Sequence, residues 1–164
     1  MTFRFIHASD LHIGRKFANI PQPPDGNIRG RLREARHGAL GKIGQAAVAQ
    51  GASHVLLAGD TFDTATPSAP VLRQALMAMG ETPEVTFWLL PGNHDNLRDA
   101  EPLWEAIQRD APDNVRAVTD TAPIAIAPGV TLLPCPVAFR AGASDPSAPL
   151  DGMVSPEGDL RIGL

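Results

Sequence analysis

Residues 88–96 read WLLPGNHDN. Trp88, Leu89 and Leu90 continue an apolar run that begins at Val85, and Pro91-Gly92 ends it. An amide, an imidazole and a carboxylate follow in a row: Asn93, His94 and Asp95. A short apolar run closed by Pro-Gly reads as a buried strand with a turn at its end. That strand delivers three metal-capable side chains at its mouth.

The same pattern occurs twice earlier. Phe3 to Ala8 reads as a strand and runs into SDLHIG, which carries Asp10 and His12. His54 to Ala58 reads as a strand and runs into GDTFD, which carries Asp60 and Asp63. Helical patterns separate these strands. Leu32, Ala35, Ala39, Ile43, Ala46 and Ala47 recur at helix spacing, with Gly51 as the stop. Val71, Leu72, Ala75, Leu76 and Met79 repeat that spacing, with Thr66-Pro67 expected at the start and Gly80 at the end. A third helix is expected over residues 97–109, with Leu103, Trp104 and Ile107 facing inward. Alternating strands and helices predict an α/β fold with a parallel βαβαβ sheet and right-handed crossovers. Ligands of such sheets bind beyond the carboxyl ends of the strands, so three polar clusters aim at one crevice. Gly59 and Gly92 allow tight backbone turns just before the polar residues.

After residue 112 the texture changes. Residues 115–118, 123–127 and 130–133 read as short strands, and Pro128-Gly129 as a hairpin turn. Residues 140–159 read as a loop rich in Gly, Ala, Ser, Pro and Asp, and LRIGL (160–164) begins another apolar run.

The bulk numbers bound the rest. The 164 residues suit one domain with a real core, at 43% hydrophobic and 20% charged. The net charge of -4 does not by itself point to nucleic acid. Residues 15–42 nonetheless hold seven of the 14 Lys and Arg against two acids, Asp25 and Glu34. Cys135 is the only cysteine, which excludes an internal disulfide and fits a reducing compartment. The start, MTFRFIHASD, lacks a long apolar stretch, and no run is long enough to span a membrane. Cytoplasmic location is the expectation.

Carboxylate, imidazole and amide oxygen together suit Mn²⁺, Fe²⁺ or Zn²⁺ better than a thiolate-loving ion. A carboxylate such as Asp60 can bridge two metals. Metals about 3.5–4 Å apart can hold an attacking hydroxide and stabilise charge on a phosphoryl group. Taken singly, Asp10 or Asp60 reads first as a helix cap or turn residue, His12 as an ordinary histidine and Asn93 as a turn residue. Taken jointly, at three successive strand ends, those readings fail together.

Asp10-Leu11-His12, then Gly59-Asp60-Thr61-Phe62-Asp63, then Gly92-Asn93-His94-Asp95, in that order on a βαβαβ frame, resembles the calcineurin-like metallophosphoesterases. The resemblance covers roughly residues 3–110. HASDLHIG and DTATPS look most like the DNA-repair nuclease branch, the Mre11 and SbcD type. It implies the first half of an αββα sandwich, two divalent ions (Mn²⁺ first, with Fe²⁺, Zn²⁺ or Mg²⁺ as alternatives) and phosphodiester hydrolysis of DNA. Asp10 and His12 would bind the first ion, Asp60 would bridge, and Asn93 would bind the second. His94 would be the catalytic residue that protonates the leaving oxygen or steadies the transition state. Asp63 and Asp95 would orient the histidine and ligands from behind, with plain turn carboxylates as the competing reading. A Rad50- or SbcC-like ATPase partner is implied too.

The sequence departs from the family pattern in one respect. The family completes its site with a lone histidine and a G-H-x-H motif further along. The five histidines here are His7, His12, His37, His54 and His94, so three expected ligands are missing. Residues 1–164 are therefore expected to be the N-terminal portion of one metallophosphoesterase domain, ending just before the lone histidine. An intact short protein with a degenerate site is the alternative. Four ligands are too few for two tightly held ions.

Two patches complete the reading. Arg29, Arg31, Arg33 and Arg36, with Arg15 and Lys16, could hold DNA phosphates in a salt-dependent way, or could form a solvated helix face. Met77, Met79, Leu103 and Trp104 fall where the resemblance implies a homodimer interface, against ordinary core packing. Two rivals to a DNA exonuclease stand: a metallophosphatase or small phosphodiesterase, and a non-catalytic DNA-end scaffold.

Overall fold

In a computed structural model, which describes residues 2–24, 26–141 and 145–164, strand β2 (His54–Ala58) shows how the layers form. Successive strand residues point to opposite faces. Val55 and Leu57 enter a cluster built with the helices, and Leu56 enters a second cluster on the other side. Both faces are covered, so HVLLA is apolar along most of its length instead of alternating. Strand β3 (Thr86–Leu90) repeats this, with Phe87 and Leu89 toward the helices and Trp88 toward the other side.

Strands β1 (Phe5–Ala8), β2, β3 and β4 (Val115–Ala117) form one sheet in that order, each neighbouring pair parallel. The crossovers run through α1 (Ile28–Ala49), α2 (Ala69–Gly80) and α3 (Glu101–Asp110). Crossovers of one hand that advance one way across a sheet place their helices on one face. Leu40 of α1, Met79 of α2 and Ile107 of α3 accordingly share one core with Val55 and Phe87. Strands β5 (Ile124–Ala127), β6 (Val130–Leu133) and β7 (Leu160–Gly163) form a second sheet, β5 antiparallel and β7 parallel to β6. Its Ile126, Val130 and Leu132 close over Leu56, with Phe3 and Trp88 alongside. The layers are helices, a four-stranded sheet and a three-stranded sheet. The α/β class and the parallel βαβαβ frame read from the sequence are those observed.

Element ends differ from the sequence reading where side chains or distant carbonyls capture the backbone. Helix α1 starts at Ile28, ahead of the apolar repeat, because the Asn27 side chain accepts from Gly30 N at 3.1 Å. Helix α2 starts at Ala69, after Thr66-Pro67, with extended Ser68 before it and Pro70 in its first turn. Residues 97–100 are not helical. Leu97 N and Arg98 N donate to Val137 O and Ala138 O at 3.0 and 3.2 Å, and Asp99 N donates to the Asn96 side chain at 3.0 Å. Strand β3 begins at Thr86 because Val85 N turns back to Thr82 O at 3.0 Å. Of the loop expected over 140–159, residues 142–144 lie outside the described ones, and Ala148–Gly152 form a 3-10 turn.

Met79, Leu103 and Trp104 are core residues, so core packing is the reading that holds for them; Met77 alone of that group is exposed, at 64%. No helix among the described residues is long and apolar enough to cross a membrane.

Candidate metal centre

The carboxyl ends of β1, β2 and β3 lie side by side: Ala8 is in register with Leu57, and Ala58 with Leu90. Beyond the strands the first loop zips onto the second. Asp10 N, His12 N and Ile13 N donate to Gly59 O, Asp60 O and Thr61 O at 3.2, 3.0 and 2.8 Å, and Asp63 N donates back to Ile13 O at 3.0 Å. This ribbon carries its polar side chains on strained backbone. Asp10, His12 and Asp60 have φ of 57°, 46° and 53°, the left-handed region. Asp and His tolerate that region better than most residues, yet each such placement costs about 1–3 kcal/mol.

Asp95 locks the third loop to the second. It is fully buried. Its Oδ1 accepts from Gly92 N at 2.7 Å and Asp60 N at 3.2 Å, and its Oδ2 from Phe62 N at 3.0 Å. Trp104 Nε1 donates to Asp95 O at 2.7 Å, tying the loop to α3. Close backbone approach makes this possible: a Cβ on Gly59 would sit 2.7 Å from Gly92 Cα. Burial pushes the Asp95 carboxyl up, and the Asp60 charge adds to that push, while the N–H groups of Phe62, Gly92 and Asp60 oppose it. A cation nearby would oppose the upward push as well.

The result is a cluster of three donors. His12, Asp60 and His94 offer ligand atoms that all lie within 4.8 Å of one another. The two imidazoles meet edge to face with centroids 4.8 Å apart. Asp60 Oδ1 accepts from His94 N at 2.8 Å, which leaves Oδ2 uncommitted. His94 Nδ1 lies 2.9 Å from Asp63 O. A ring N–H there leaves Nε2 as the atom for a ligand or substrate. His12 Nδ1 is buried with no hydrogen-bond partner, 3.5 Å from Asp63 Oδ1. Thr61 Oγ1 is also buried and unpartnered. Two nitrogens and a carboxylate, one of them with an unpartnered buried atom, suit a divalent ion of the Mn²⁺, Fe²⁺ or Zn²⁺ type.

Other sequence-derived site residues stand differently. The Asp10 side chain is 67% exposed, 3.8 Å from His12 Nε2, and its Oδ2 accepts from Ser9 Oγ at 2.6 Å. Asn93 is exposed and precedes His94 directly, and its carbonyl accepts from Asn96 Nδ2 at 3.2 Å. Asp63 reaches both histidines, His12 through its carboxylate and His94 through its carbonyl. Asp95 bonds neither imidazole; it acts on the backbones of the two loops.

The basic stretch divides. Arg36 Nη1 donates to Leu11 O at 2.6 Å and the guanidinium covers the Phe17 ring at 5.2 Å, so it supports the first loop. Arg29 Nε donates to Ile20 O at 2.8 Å. Arg15 Nη1 lies 3.9 Å from Asp63 Oδ1. Lys16, Arg31 and Arg33 are exposed. Sequence reasoning missed the Trp104 bond to Asp95 and the Arg36 bond to Leu11. Neither carries a local signal, since the partners are 9 and 25 residues apart.

Comparison with known proteins places this arrangement. The sequence matches the calcineurin-like phosphoesterases over residues 3–135. It is 31% identical, over 73% of its length, to the uncharacterized metallophosphoesterase YhaO of Bacillus subtilis. It is also 31% identical, over 65% of its length, to the SbcD component of the SbcCD nuclease of Rhodobacter capsulatus. The chain spans 28% and 25% of those proteins' own lengths. The matched residues include all three clustered donors and the loops that hold them, and the chain belongs to the calcineurin-like phosphoesterase family.

Proposed function

We propose that this chain contributes the first part of a divalent-metal-dependent phosphodiesterase centre that acts on DNA. The observation that carries the reading is the convergence of His12, Asp60 and His94 at three strand ends, the first two on left-handed backbone. Asp10, His12 and Asp60 would hold one ion and Asn93, with Asp60, a second, leaving the His94 ring free of metal. The chemistry such ions supply when bound is Lewis-acid stabilisation of charge on the phosphoryl oxygens. The protein's own contribution is positional. Asp95 fixes the backbone of Asp60, and the Asp63 carbonyl orients the His94 ring. In the protonated state His94 keeps Nδ1–H on Asp63 O and presents Nε2–H to the departing oxygen as its bond to phosphorus breaks. Mn²⁺ is the proposed ion, an SbcC-like ATPase the proposed partner and the cytoplasm the proposed location. The similarity to a component of the SbcCD nuclease supports the DNA substrate.

A second reading keeps the centre and changes the substrate to a phosphomonoester or small phosphodiester. The similarity to a metallophosphoesterase of general description supports it, as does the diversion of Arg29 and Arg36 to structural bonds. The test is Mn²⁺-dependent turnover of end-labelled single-stranded DNA, bis-p-nitrophenyl phosphate and p-nitrophenyl phosphate, with Asp60→Asn as control. DNA cleavage that Asp60→Asn abolishes supports the first reading. Turnover of the small esters alone supports the second, and DNA binding without turnover in any divalent metal supports a scaffold.

A further inference from the structure

Beside the donor cluster, on the helical side, lies a cleft of about 690 Å³, within the range of ligand sites. Lys16, Arg33, His37, Thr64, Thr66 and Ser68 line it. Its one carboxylate, Asp63, faces His12 and Arg15 at 3.5 and 3.9 Å. Among the described residues Lys16 and Arg33 make no ion pair. Among those residues Arg33 uses Nε, toward Arg29 O at 3.4 Å, and makes no bond through its terminal nitrogens. Ser68 makes no cap bond to α2. His37 Nδ1 is a buried atom with no partner. Among the described residues the cleft therefore gathers two cations, an imidazole nitrogen without a hydrogen-bond partner and three hydroxyls, against one carboxylate that faces His12 and Arg15. Lys, Arg, Ser and Thr are the residue types that hold backbone phosphates without reading sequence.

We propose that this cleft is a phosphate subsite, distinct from the metal centre, that takes a backbone phosphate neighbouring the one under attack. The proposal rests on the nucleic-acid reading above. Asp63 is the link, since it borders the cleft, lies 3.5 Å from His12 Nδ1 and holds the His94 ring through its carbonyl. A strand running from the metal centre along residues 63–68 would meet the three hydroxyls in turn. The subsite would favour a polymer over a substrate with a single phosphate. It would also cut the six basic candidates of the sequence to the two, Lys16 and Arg33, that face the cleft.

The test has two arms, both run in EDTA on the full chain. In the first, inorganic phosphate is titrated while amide shifts are followed by NMR. Shifts clustered at the cleft, in residues 14–16, 33–37 and 64–68, and absent in Lys16→Ala/Arg33→Ala are expected; no shift there in the parent chain overturns the subsite. In the second, anisotropy measures binding of a fluorescein-labelled oligothymidylate against salt. The double variant should bind about tenfold more weakly, with the log–log salt slope reduced by about 1.4, two contacts at about 0.7 each. Lys42→Ala/Arg73→Ala, on the groove between α1 and α2 outside the cleft, should bind as the parent does. An equal loss in that control overturns the proposal. Phosphate shifts without oligonucleotide binding overturn the nucleic-acid source and leave a free-phosphate site. Thr66→Val tests the hydroxyls with charge unchanged, and should weaken both arms about twofold or more.

Discussion

The two ends of the parallel sheet differ in how completely they satisfy buried polar atoms. At the amino end the buried Asn114 and the half-buried Trp88 and His54 find partners. Asn114 Nδ2 donates to Met79 O, Thr82 O and Val85 O at 2.9, 3.1 and 3.0 Å, and Trp88 Nε1 donates to His54 Nδ1 at 3.2 Å. At the carboxyl end His12 Nδ1 and Thr61 Oγ1 have no partner, and three polar residues sit at positive φ. Unmet hydrogen bonds and backbone strain are what a fold removes when stability alone is at stake. Their concentration at one end marks the end kept for a ligand.

The sharpest probe of that contrast is Asp95, which holds the strained end together. Asp95→Ala leaves three buried N–H groups without their acceptor and should lower stability by at least ~3 kcal/mol, read by urea unfolding, with turnover lost as well. A small effect would mean that the carboxyl end does not depend on this clamp. Next in size, Asn114→Ala should cost about 2 kcal/mol by leaving carbonyls at the amino end unpaired. Its Mn²⁺ affinity, by calorimetry, should match the parent chain. A lost ion would break the division between the ends.

Asp10→Gly should act in the opposite sense. It relieves one left-handed residue and should raise stability by about 1 kcal/mol while weakening metal binding. Destabilisation would mean that Asp10 is not strained as its φ implies. His94→Ala should abolish turnover and leave bound metal in place. Equal loss of both would make His94 a ligand first, as its position in the donor cluster allows. The smallest effect concerns His54. Burial lowers its pKa from the ordinary 6.5, and its Nδ1 must stay unprotonated to accept from Trp88. The unfolded chain then takes up a proton that the folded chain refuses, so stability falls as pH drops from 6.5 through the lower folded value. His54→Phe should flatten part of that fall in a pH series of melting curves. His37, also lowered by burial, keeps the rest.

Much of this was legible in the chain. His54–Ala58 and Val130–Leu133 have the bounds read from their apolar runs, because a strand buried on both faces needs an unbroken apolar run. The α3 start was not legible. Leu97 reads as the beginning of an apolar helix face, but its amide is claimed by Val137, 40 residues on.

The order of motifs, from D-x-H through G-D-x-x-D to G-N-H-D, was enough by itself to determine the family and the sheet that carries it. Each motif is local, and a strand followed by a Gly turn has few ways to point its polar tip. Which donors meet was decided only by tertiary structure. His12, Asp60 and His94 converge while Asp10 turns to solvent and Ser9, because Asp95 binds two loops 35 residues apart and sets the backbone of one donor against the next. Arg29 and Arg36 left the basic patch for the same reason: distant carbonyls captured them, and no local pattern encodes a distant carbonyl.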